Sequence, residues 1–259
     1  MRRSRYTIPG RHHAVQTDCL IIHLERAHAR LPQVREMMDM VPLPAHIVAA
    51  VDGQNMSRAQ SQAYRPRRLR PRYPFHLRPS EVATFHSHRA CWRKIIDDGL
   101  EAALILEDDL HLDPEIFPKA LDLALSHAQQ GELVRFPIKM RETALRDIAS
   151  NGEVHLKSYD SVALGMVAQL VTRNAAQALL AATETFDRPV DSFLQMQWVH
   201  QVPVRTIWPC GVREISNELG GSLITRKSGP VERLRREVLR PLYRRKIKAL
   251  SKAYLHDAE

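Results

Sequence analysis

Three consecutive carboxylates, Glu107, Asp108 and Asp109, follow a short apolar run at residues 102–106. Such a run is typical of a buried parallel strand, and ligands bind at the carboxyl ends of these strands. A hard divalent cation such as Mg²⁺ or Mn²⁺ would relieve the repulsion between the three acids. Along an extended segment Asp108 faces away from the other two, so not all three need touch the ion. A solvated acidic turn that caps the next helix is the alternative.

Asp191 comes two residues after Pro189 and just before an apolar helical pattern. Two interpretations of its carboxylate stay open. It can cap the N-terminus of the following helix, a position that aspartate favours. It can instead be a general base that takes a proton from an acceptor hydroxyl.

Ser87 and His88 lie in a helix predicted over residues 80–98. His88 shares one stripe of that helix with Phe85 and Trp92, because the three residues follow a 3-4 spacing. This position favours a buried histidine that is hydrogen-bonded to the backbone, with Ser87 as a small packing residue.

Arg26 and Arg30 follow the first predicted strand and lie near the same edge of the sheet. Guanidinium geometry suits a bidentate contact with a diphosphate. Surface charge on a helix is the alternative.

Short apolar runs alternate with helical periodicity along the chain, which is the pattern of an α/β fold. The predicted strands are residues 19–24, 47–51, 102–106, 162–171 and 204–208. The predicted helices are residues 30–40, 80–98, 114–128, 173–182 and 191–200, with Ser80, Thr172 and Asp191 as candidate N-caps. Residues 54–79 contain seven arginines and no acidic residue, and they predict a long basic loop.

The chain has 259 residues, 44% of them apolar, which is enough for a sizeable core in one domain with appendages. Its three cysteines, Cys19, Cys91 and Cys210, are scattered along the sequence. This spacing argues against a disulfide framework and a cysteine-rich zinc site, and it favours an intracellular protein. Because no stretch has the roughly 20 apolar residues of a membrane span, we expect a soluble or peripheral protein.

The net charge of +9 is concentrated near the C-terminus. Residues 226–252 hold eleven lysines or arginines against two glutamates, so the rest of the chain is formally neutral. The body therefore gives no reason to expect a nucleic-acid partner. A non-enzymatic basic nucleic-acid-binding protein remains an alternative, but only 6% of the residues are aromatic and available for stacking on bases.

Six sequence blocks, taken in order, resemble glycosyltransferase family 25, the group that contains lipopolysaccharide, lipooligosaccharide and collagen galactosyltransferases. The blocks are Leu20–Arg26 with Arg30, Ala50–Gly53, Ser80–His88, Leu104–Asp109, Gly165–Leu180 and Pro189–Asp191. The fourth block matches the family's ILEDD hallmark in full. The sequence departs from the family pattern at His23, where asparagine is usual, at Ala83, and at Gln169, where an aromatic residue is common.

The resemblance implies a GT-A-type nucleotide-diphospho-sugar transferase fold, with a mixed, mostly parallel central sheet flanked by helices, over residues 17–225. It also implies a UDP-sugar donor, a divalent metal ion (Mn or Mg) and inversion at the anomeric carbon. The expected site residues are Asp191 and His88 for catalysis, Leu24, Arg26, Arg30, Asp52, Ser87 and Asp108 for donor binding, and Glu107 and Asp109 for the metal.

The reaction expected from this resemblance moves a hexose, galactose by analogy, to lipopolysaccharide or another surface glycan. Asp191 takes the proton of the acceptor hydroxyl in a single displacement. A metal at Asp109, assisted by Asp108 or Glu107, neutralises charge on the departing diphosphate. A metal-dependent nuclease or phosphoryl-transfer enzyme is the alternative, because carboxylates at strand ends serve that chemistry too.

Residues 226–259 predict a basic helical tail. Val231, Leu234, Val238 and Leu242 fall on one side of this helix among arginines, and Pro241 is expected to kink it. Such a segment could rest on anionic lipid, where a glycolipid acceptor would lie. We therefore expect a cytoplasmic protein at the inner face of the cytoplasmic membrane, with a solvated basic helix as the alternative.

Overall fold

The computed structural model describes residues 16–140, 142–219 and 230–257. Within these ranges the strands are β1 (Thr17–His23), β2 (Ala45–Ala49), β3 (Ala102–Glu107), β4 (Leu110–Leu112), β5 (Leu133–Arg135), β6 (Ala144–Asn151), β7 (Val154–Tyr159), β8 (Ala168–Thr172), β9 (Val204–Trp208) and β10 (Val212–Glu214). The helices are α1 (Leu31–Met40), α2 (Arg58–Ala63), α3 (Pro79–Asp97), α4 (Ile116–His127), α5 (Arg173–Ala182), α6 (Val190–Leu194), α7 (Gln197–His200) and α8 (Pro230–Asp257). One 3₁₀ turn, His28–Arg30, precedes α1.

Eight of the strands form one sheet in the order β2-β1-β3-β8-β5-β9-β7-β6. Six of them run in the same direction, and β8 and β7 run against it. Strands β4 and β10 pair separately as a short antiparallel ribbon. This sheet, with helices packed against it, confirms the predicted mixed, mostly parallel α/β arrangement.

The core lies on both faces of the sheet. Alternate residues of β1 point to opposite faces, so that Ile21 joins one apolar cluster and Leu20 joins the other. The first cluster contains Phe117 of α4 together with residues of α1, and the second contains Trp92 of α3 together with residues of α5. Helices therefore cover the sheet from both sides, and its central strands are buried.

Strands β2, β1 and β3 are neighbours and run parallel, so their carboxyl ends meet at one edge of the sheet. His23 lies opposite Ala49 of β2, and Ile22 lies opposite Glu107 of β3. The segments that follow these three strands leave the sheet side by side. This register brings the predicted site residues of three distant sequence blocks to one place.

Several predicted boundaries need correction. The second strand lies two residues earlier than predicted, at Ala45–Ala49, and the predicted strand over residues 162–171 is shortened to Ala168–Thr172. The predicted helix over residues 191–200 is divided into α6 and α7. The basic loop is interrupted by α2, whose N-terminus is closed by a capping box at Ser57.

Of the three predicted N-caps, Ser80 and Asp191 are wrong, and Thr172 is confirmed in its position but not in its hydrogen bond. Ser80 lies inside α3, because the helix begins at Pro79 with Arg78 as its N-cap. Thr172 occupies the N-cap position of α5, but its hydroxyl donates to the Glu132 carbonyl oxygen instead of capping the helix. Asp191 lies in the first turn of α6, after the N-cap residue Pro189.

Helix α8 packs against the body of the protein through Tyr243 and Ile247, which are buried in a cluster with Met196. Pro241 lies inside the helix without ending it. The side chains of Val231 and Leu234 lie outside the described part of the chain. Among the helices of residues 16–140, 142–219 and 230–257, none is both long enough and apolar enough to cross a membrane.

Candidate active site

A cleft of about 190 Å³ opens at the carboxyl ends of β1, β2 and β3, and we call it the strand-end cleft. The predicted site residues that line it are Leu24, Arg26, Arg30, Asp52, Ser87, His88, Glu107, Asp108 and Asp109. The structure thus brings together every predicted site residue except Asp191. The arrangement follows from the parallel register of three neighbouring strands.

Asp108 and Asp109 are both buried and both contact Arg30. One guanidinium nitrogen of Arg30, Nη1, lies 2.5 Å from Asp108 Oδ1 and 3.1 Å from Asp109 Oδ2. The second oxygen of Asp108 lies 2.8 Å from Nδ1 of the buried His23, the residue that stands in place of the family's asparagine. Arg30 is therefore the cation that makes burial of these two acids possible.

Burial and, to a smaller extent, the negative charge of Glu107 raise the pKa of the Asp109 carboxyl to about 6. Arg30 acts in the opposite direction without cancelling these effects. The Glu107 side chain is 30% exposed and is the most open of the three acids towards the cleft. A second positive charge beside Asp109 and Glu107 would therefore be stabilised.

Arg26 and Asp52 form an ion pair at the mouth of the cleft. Nε of Arg26 donates to Asp52 Oδ2 over 2.9 Å, and Nη2 donates to Oδ1 over 3.3 Å. This contact holds the pKa of the Asp52 carboxyl below its usual value. The Arg26 side chain is 47% exposed, so it can exchange this partner for a ligand at low cost.

The loop after β2 is fixed against α3 by Ser87 and Gly53. The Ser87 hydroxyl accepts a hydrogen bond from the Val51 amide and donates to the Ala83 carbonyl, each over 2.9 Å. A Cβ atom at Gly53 would lie 2.9 Å from the carbonyl carbon of Pro79, closer than real contacts allow. Gly53 is therefore required by a close approach of two backbones.

His88 is fully buried and stands behind Glu107. Its Nδ1 lies 3.1 Å from Nε2 of Gln169, and its Nε2 lies 3.6 Å from Oε1 of Glu107. Because Gln169 donates to Nδ1, the ring proton is on Nε2 and faces Glu107. The partner of His88 is thus a side chain and not the backbone, which corrects the prediction, and Gln169 acts at a position where the family commonly has an aromatic residue.

Asp191 lies outside the strand-end cleft, in a second pocket that we call the helix pocket. This pocket has a volume of about 200 Å³ and lies between the N-terminal end of α3, helix α6 and helix α8. Asp191 Oδ2 accepts a hydrogen bond from the Gly165 amide over 3.1 Å, and Oδ1 accepts one from the Ser192 amide over 2.6 Å. The two donors fix the orientation of the carboxylate.

Sequence reasoning missed Arg135, Arg240 and Arg244. Arg135 ends β5 and is fully buried, and its guanidinium donates to the Ala163 carbonyl. Burial lowers the pKa of Arg135 to about 10, while the charge of Asp191 acts in the opposite direction. A three-residue strand leaves no periodicity that could have marked Arg135. Arg240 and Arg244 line the helix pocket, but in the sequence they are two of many basic residues of the tail.

The residues of the strand-end cleft fit a divalent cation that is shared with a ligand. Within residues 16–140, 142–219 and 230–257, no three His, Cys, Asp or Glu side chains are gathered as a metal-binding group. Mg²⁺ and Mn²⁺ commonly take one or two carboxylates and complete their shell with phosphate oxygens and water. Glu107 and Asp109 supply two such carboxylates to the cleft, where the acids outnumber the arginines.

Comparison with known sequences decides the class of the protein. The profile described as glycosyltransferase family 25 (LPS biosynthesis protein) matches residues 16–194. The chain belongs to glycosyltransferase family 25. The matched residues run from β1 to α6 and include the whole strand-end cleft and Asp191. Helix α8, with Arg240 and Arg244, lies outside the matched residues.

Curated relatives of this family 25 glycosyltransferase include human procollagen galactosyltransferase 2, which is 29% identical over 197 residues. Procollagen galactosyltransferase 1 of Danio rerio is 28% identical over 195 residues. A glycosyltransferase 25 family member of Drosophila melanogaster is 29% identical over 206 residues. These alignments cover 70%, 70% and 72% of this chain, but only 30%, 31% and 33% of the relatives, so the chain matches about a third of their length.

Among solved structures, mannose-1-phosphate geranyltransferase from Thermus thermophilus aligns with 74% of this chain and 74% of its own. The TM-score is 0.40 and the sequence identity is 12%. At this distance the likeness carries no argument about the site.

Proposed function

We propose that this glycosyltransferase moves a hexose, galactose, from a UDP-sugar to a hydroxyl of lipopolysaccharide or another surface glycan, with inversion at the anomeric carbon. The observation that carries the proposal is the strand-end cleft, where Arg26 and Arg30 stand beside the acids at residues 107–109. The choice of galactose is supported by the names of the procollagen galactosyltransferase relatives.

In this proposal the two arginines of the cleft have different tasks. Arg30 is paired with Asp108 and Asp109 and holds these buried side chains in place. Arg26 is exposed, and it turns from Asp52 to the diphosphate when the donor binds. The carboxylate of Asp52 is then released to accept hydrogen bonds from the uridine.

A Mn²⁺ or Mg²⁺ ion held by Asp109 and Glu107 would neutralise negative charge on the departing diphosphate. His88 positions Glu107 from behind with its Nε2 proton, and Gln169 keeps that proton on Nε2. Since His88 is fully buried, it acts through Glu107 and not on the substrate itself.

Asp191 is the proposed general base. Its carboxylate is held by two backbone amides, and it faces the helix pocket, where an acceptor can bind. Asp191 takes the proton of the acceptor hydroxyl while that oxygen forms its bond to the anomeric carbon, and the bond from that carbon to the UDP oxygen breaks. A single displacement of this kind inverts the configuration.

The test is release of UDP by the purified full-length protein from UDP-galactose, UDP-glucose and UDP-N-acetylhexosamines, with a lipooligosaccharide acceptor and either Mn²⁺ or a chelator. We expect the fastest release from UDP-galactose and loss of activity in excess chelator. Undiminished turnover in chelator would reject the metal. Hydrolysis of nucleic acid without turnover of any UDP-sugar would instead support the phosphoryl-transfer alternative.

We also propose that the outer face of α8 contacts anionic lipid at the inner face of the cytoplasmic membrane. Val238, Leu242 and Leu250 are large apolar residues that are 54%, 50% and 41% exposed on a strongly basic helix. Each cation near an anionic surface contributes about 1 kcal/mol. Sedimentation with phosphatidylglycerol vesicles tests this contact, and Leu242→Asp combined with Leu250→Asp should weaken it. Equal binding of this variant and the unaltered protein would reject the contact.

A further inference from the structure

The helix pocket is formed by two parts of the chain that the family match separates. Residues of the matched region supply Tyr73, Glu81 and Asp191, and α8 supplies Arg240 and Arg244. Asp191 therefore shares its pocket with two cations from a segment outside residues 16–194. Whatever ligand reaches Asp191 also meets α8.

Helix α8 is held firmly enough to form a wall of this pocket. The buried Arg188 donates to the Tyr243 hydroxyl over 2.7 Å, and the same guanidinium is paired with the buried Asp187. Further along the helix, Lys248 and Lys252 lie 3.0 and 3.5 Å from the buried carboxylate of Asp160. Polar contacts at two sites therefore fix the position of α8 against the body.

In the helix pocket the acids have hydrogen-bond partners, whereas the arginines have no carboxylate partner among the described residues. The carboxylate of Asp191 accepts two backbone hydrogen bonds, and that of Glu81 accepts one from the Arg78 amide. Arg240 and Arg244, by contrast, form no ion pair with any carboxylate in the described part of the chain. The basic residues of α8 that lie against Asp160 are paired, whereas the two arginines that line the pocket have no carboxylate partner among the described residues.

Aromatic rings form another side of the pocket. Tyr73 and Phe75 lie edge to face with their centroids 5.6 Å apart, and Cζ of Arg240 is 6.0 Å from the Phe75 centroid. A ring surface beside hydrogen-bonding carboxylates suits a pyranose, which has an apolar face and a rim of hydroxyls. The arginines suit a carboxylate or phosphate on that sugar.

We propose that the helix pocket binds an acidic sugar residue of the acceptor, and that Arg240 and Arg244 select it by contacting its carboxylate or phosphate group. The inference rests on the proposed function, because it takes Asp191 as the base that acts on this acceptor. In this proposal α8 determines which acceptor binds, while the strand-end cleft binds the donor.

The experiment measures binding of three monosaccharides to the full-length protein by ligand-observed NMR in saturating UDP, which occupies the strand-end cleft. The sugars are methyl glucoside, methyl glucuronide and glucose 6-phosphate, so that one is neutral, one carries a carboxylate and one carries a phosphate. We expect at least one acidic sugar to bind roughly tenfold more tightly than the neutral one. Which acidic sugar binds more tightly identifies the anionic group.

Substitutions locate the binding. Arg240→Gln and Arg244→Gln, alone and together, should remove the preference for the acidic sugar, while Arg245→Gln should keep it. Arg245 is an exposed neighbour on the same helix and lines neither the helix pocket nor the cleft. Circular dichroism and urea denaturation check that each variant is folded.

Three results would overturn the inference: equal binding of neutral and acidic sugars, no detectable binding of either acidic sugar, or an acidic preference that survives in the Arg240→Gln, Arg244→Gln double variant. Acidic sugars that bind only without UDP would place the anion in the strand-end cleft and count against it as well. If acidic sugars bind at the helix pocket but no UDP-sugar is turned over, the proposed function fails while the binding inference stands.

Discussion

The strand-end cleft and the helix pocket both contain arginines and acids, but these side chains are paired differently in the two places. In the cleft, arginines and acids are paired with each other, as Arg30 is with Asp108 and Asp109. In the pocket, the acids are satisfied by backbone amides and the two arginines have no acidic partner in the described residues. In the cleft both arginines are therefore already paired and the acids outnumber them, whereas the pocket has cationic groups that a ligand can satisfy.

The largest effect on stability is expected at Arg30. Replacing it by glutamine leaves the buried carboxylates of Asp108 and Asp109 without their cation, which should lower the free energy of unfolding by about 3–5 kcal/mol. Urea denaturation measures this loss. Arg26→Gln is the matched control, because it breaks an exposed pair and should cost less than about 1 kcal/mol. Similar losses in the two variants would contradict a stabilising role of Arg30 beside the two buried acids.

Asp109→Asn should reduce turnover by about a hundredfold to a thousandfold while the protein stays folded. The substitution removes a charge that the proposed metal site needs, and it also removes the repulsion between Asp109 and Glu107. The rate of UDP release and the urea midpoint are measured on the same preparation. Asp39→Asn, an exposed acid of α1, serves as the control and should leave both unchanged. Unchanged turnover in Asp109→Asn would eliminate the metal role.

Stability should fall at acid pH because of His200, in the helix next to α8. Burial lowers the pKa of His200 from 6.5 to about 4, and the ring is satisfied while neutral, since Nε2 contacts the Leu194 carbonyl and Nδ1 accepts from the Val202 amide. Between these two pKa values the unfolded chain binds the proton and the folded chain does not. The contribution of about 3 kcal/mol is therefore complete above pH 6.5 and is lost as the pH falls towards 4.

The measurement is the free energy of unfolding between pH 7 and pH 4, and His200→Gln is the variant to compare. We expect the variant to have a shallower slope in this range. Identical slopes in the two proteins would show that other groups cause the acid sensitivity.

The smallest expected effect concerns the anchor of α8. Tyr243→Phe removes the oxygen that accepts from the buried Arg188 and should cost about 1.5–3 kcal/mol. If α8 forms the acceptor site, KM for the acceptor should rise while KM for the donor stays constant. Tyr254→Phe, which removes an exposed bond to Gln201, is the control and should change neither. A rise in donor KM alone would contradict the division between cleft and pocket.

The cleft was predictable from sequence because its residues follow the ends of neighbouring parallel strands in short contiguous blocks. Strand β9, residues 204–208, was predicted at its exact bounds because β-branched and aromatic residues, which are enriched in strands, fill four of its five positions. The helix pocket was not predictable, because it joins residues such as Tyr73, Asp191 and Arg240 that are distant in sequence and share no motif. Its one predicted member, Asp191, was singled out by its position before a helical pattern, with an N-cap role and a general-base role both open.

The hairpin of β6 and β7 was missed although the sequence contains a signal for it. Strand β6 lies at the edge of the sheet and is largely exposed, so it lacks the alternation of apolar and polar residues that marks a half-buried strand. The chain turns at Gly152 and Glu153, between the paired residues Asn151 and Val154, and Gly152 has φ +61°. A glycine directly after an asparagine is a strong hairpin signal. Turn chemistry would have identified an element that hydrophobic periodicity could not.

The first turn of α3 lies between the strand-end cleft and the helix pocket. Ser80 faces the cleft, its neighbour Glu81 faces the pocket, and Gly53 presses the loop after β2 against Pro79 just before them. With no side chain between the two backbones, that loop and the first turn of α3 are in direct contact. If a nucleotide moves the loop, we expect the wall of the helix pocket to move with it, so that nucleotide and acceptor affect each other's binding.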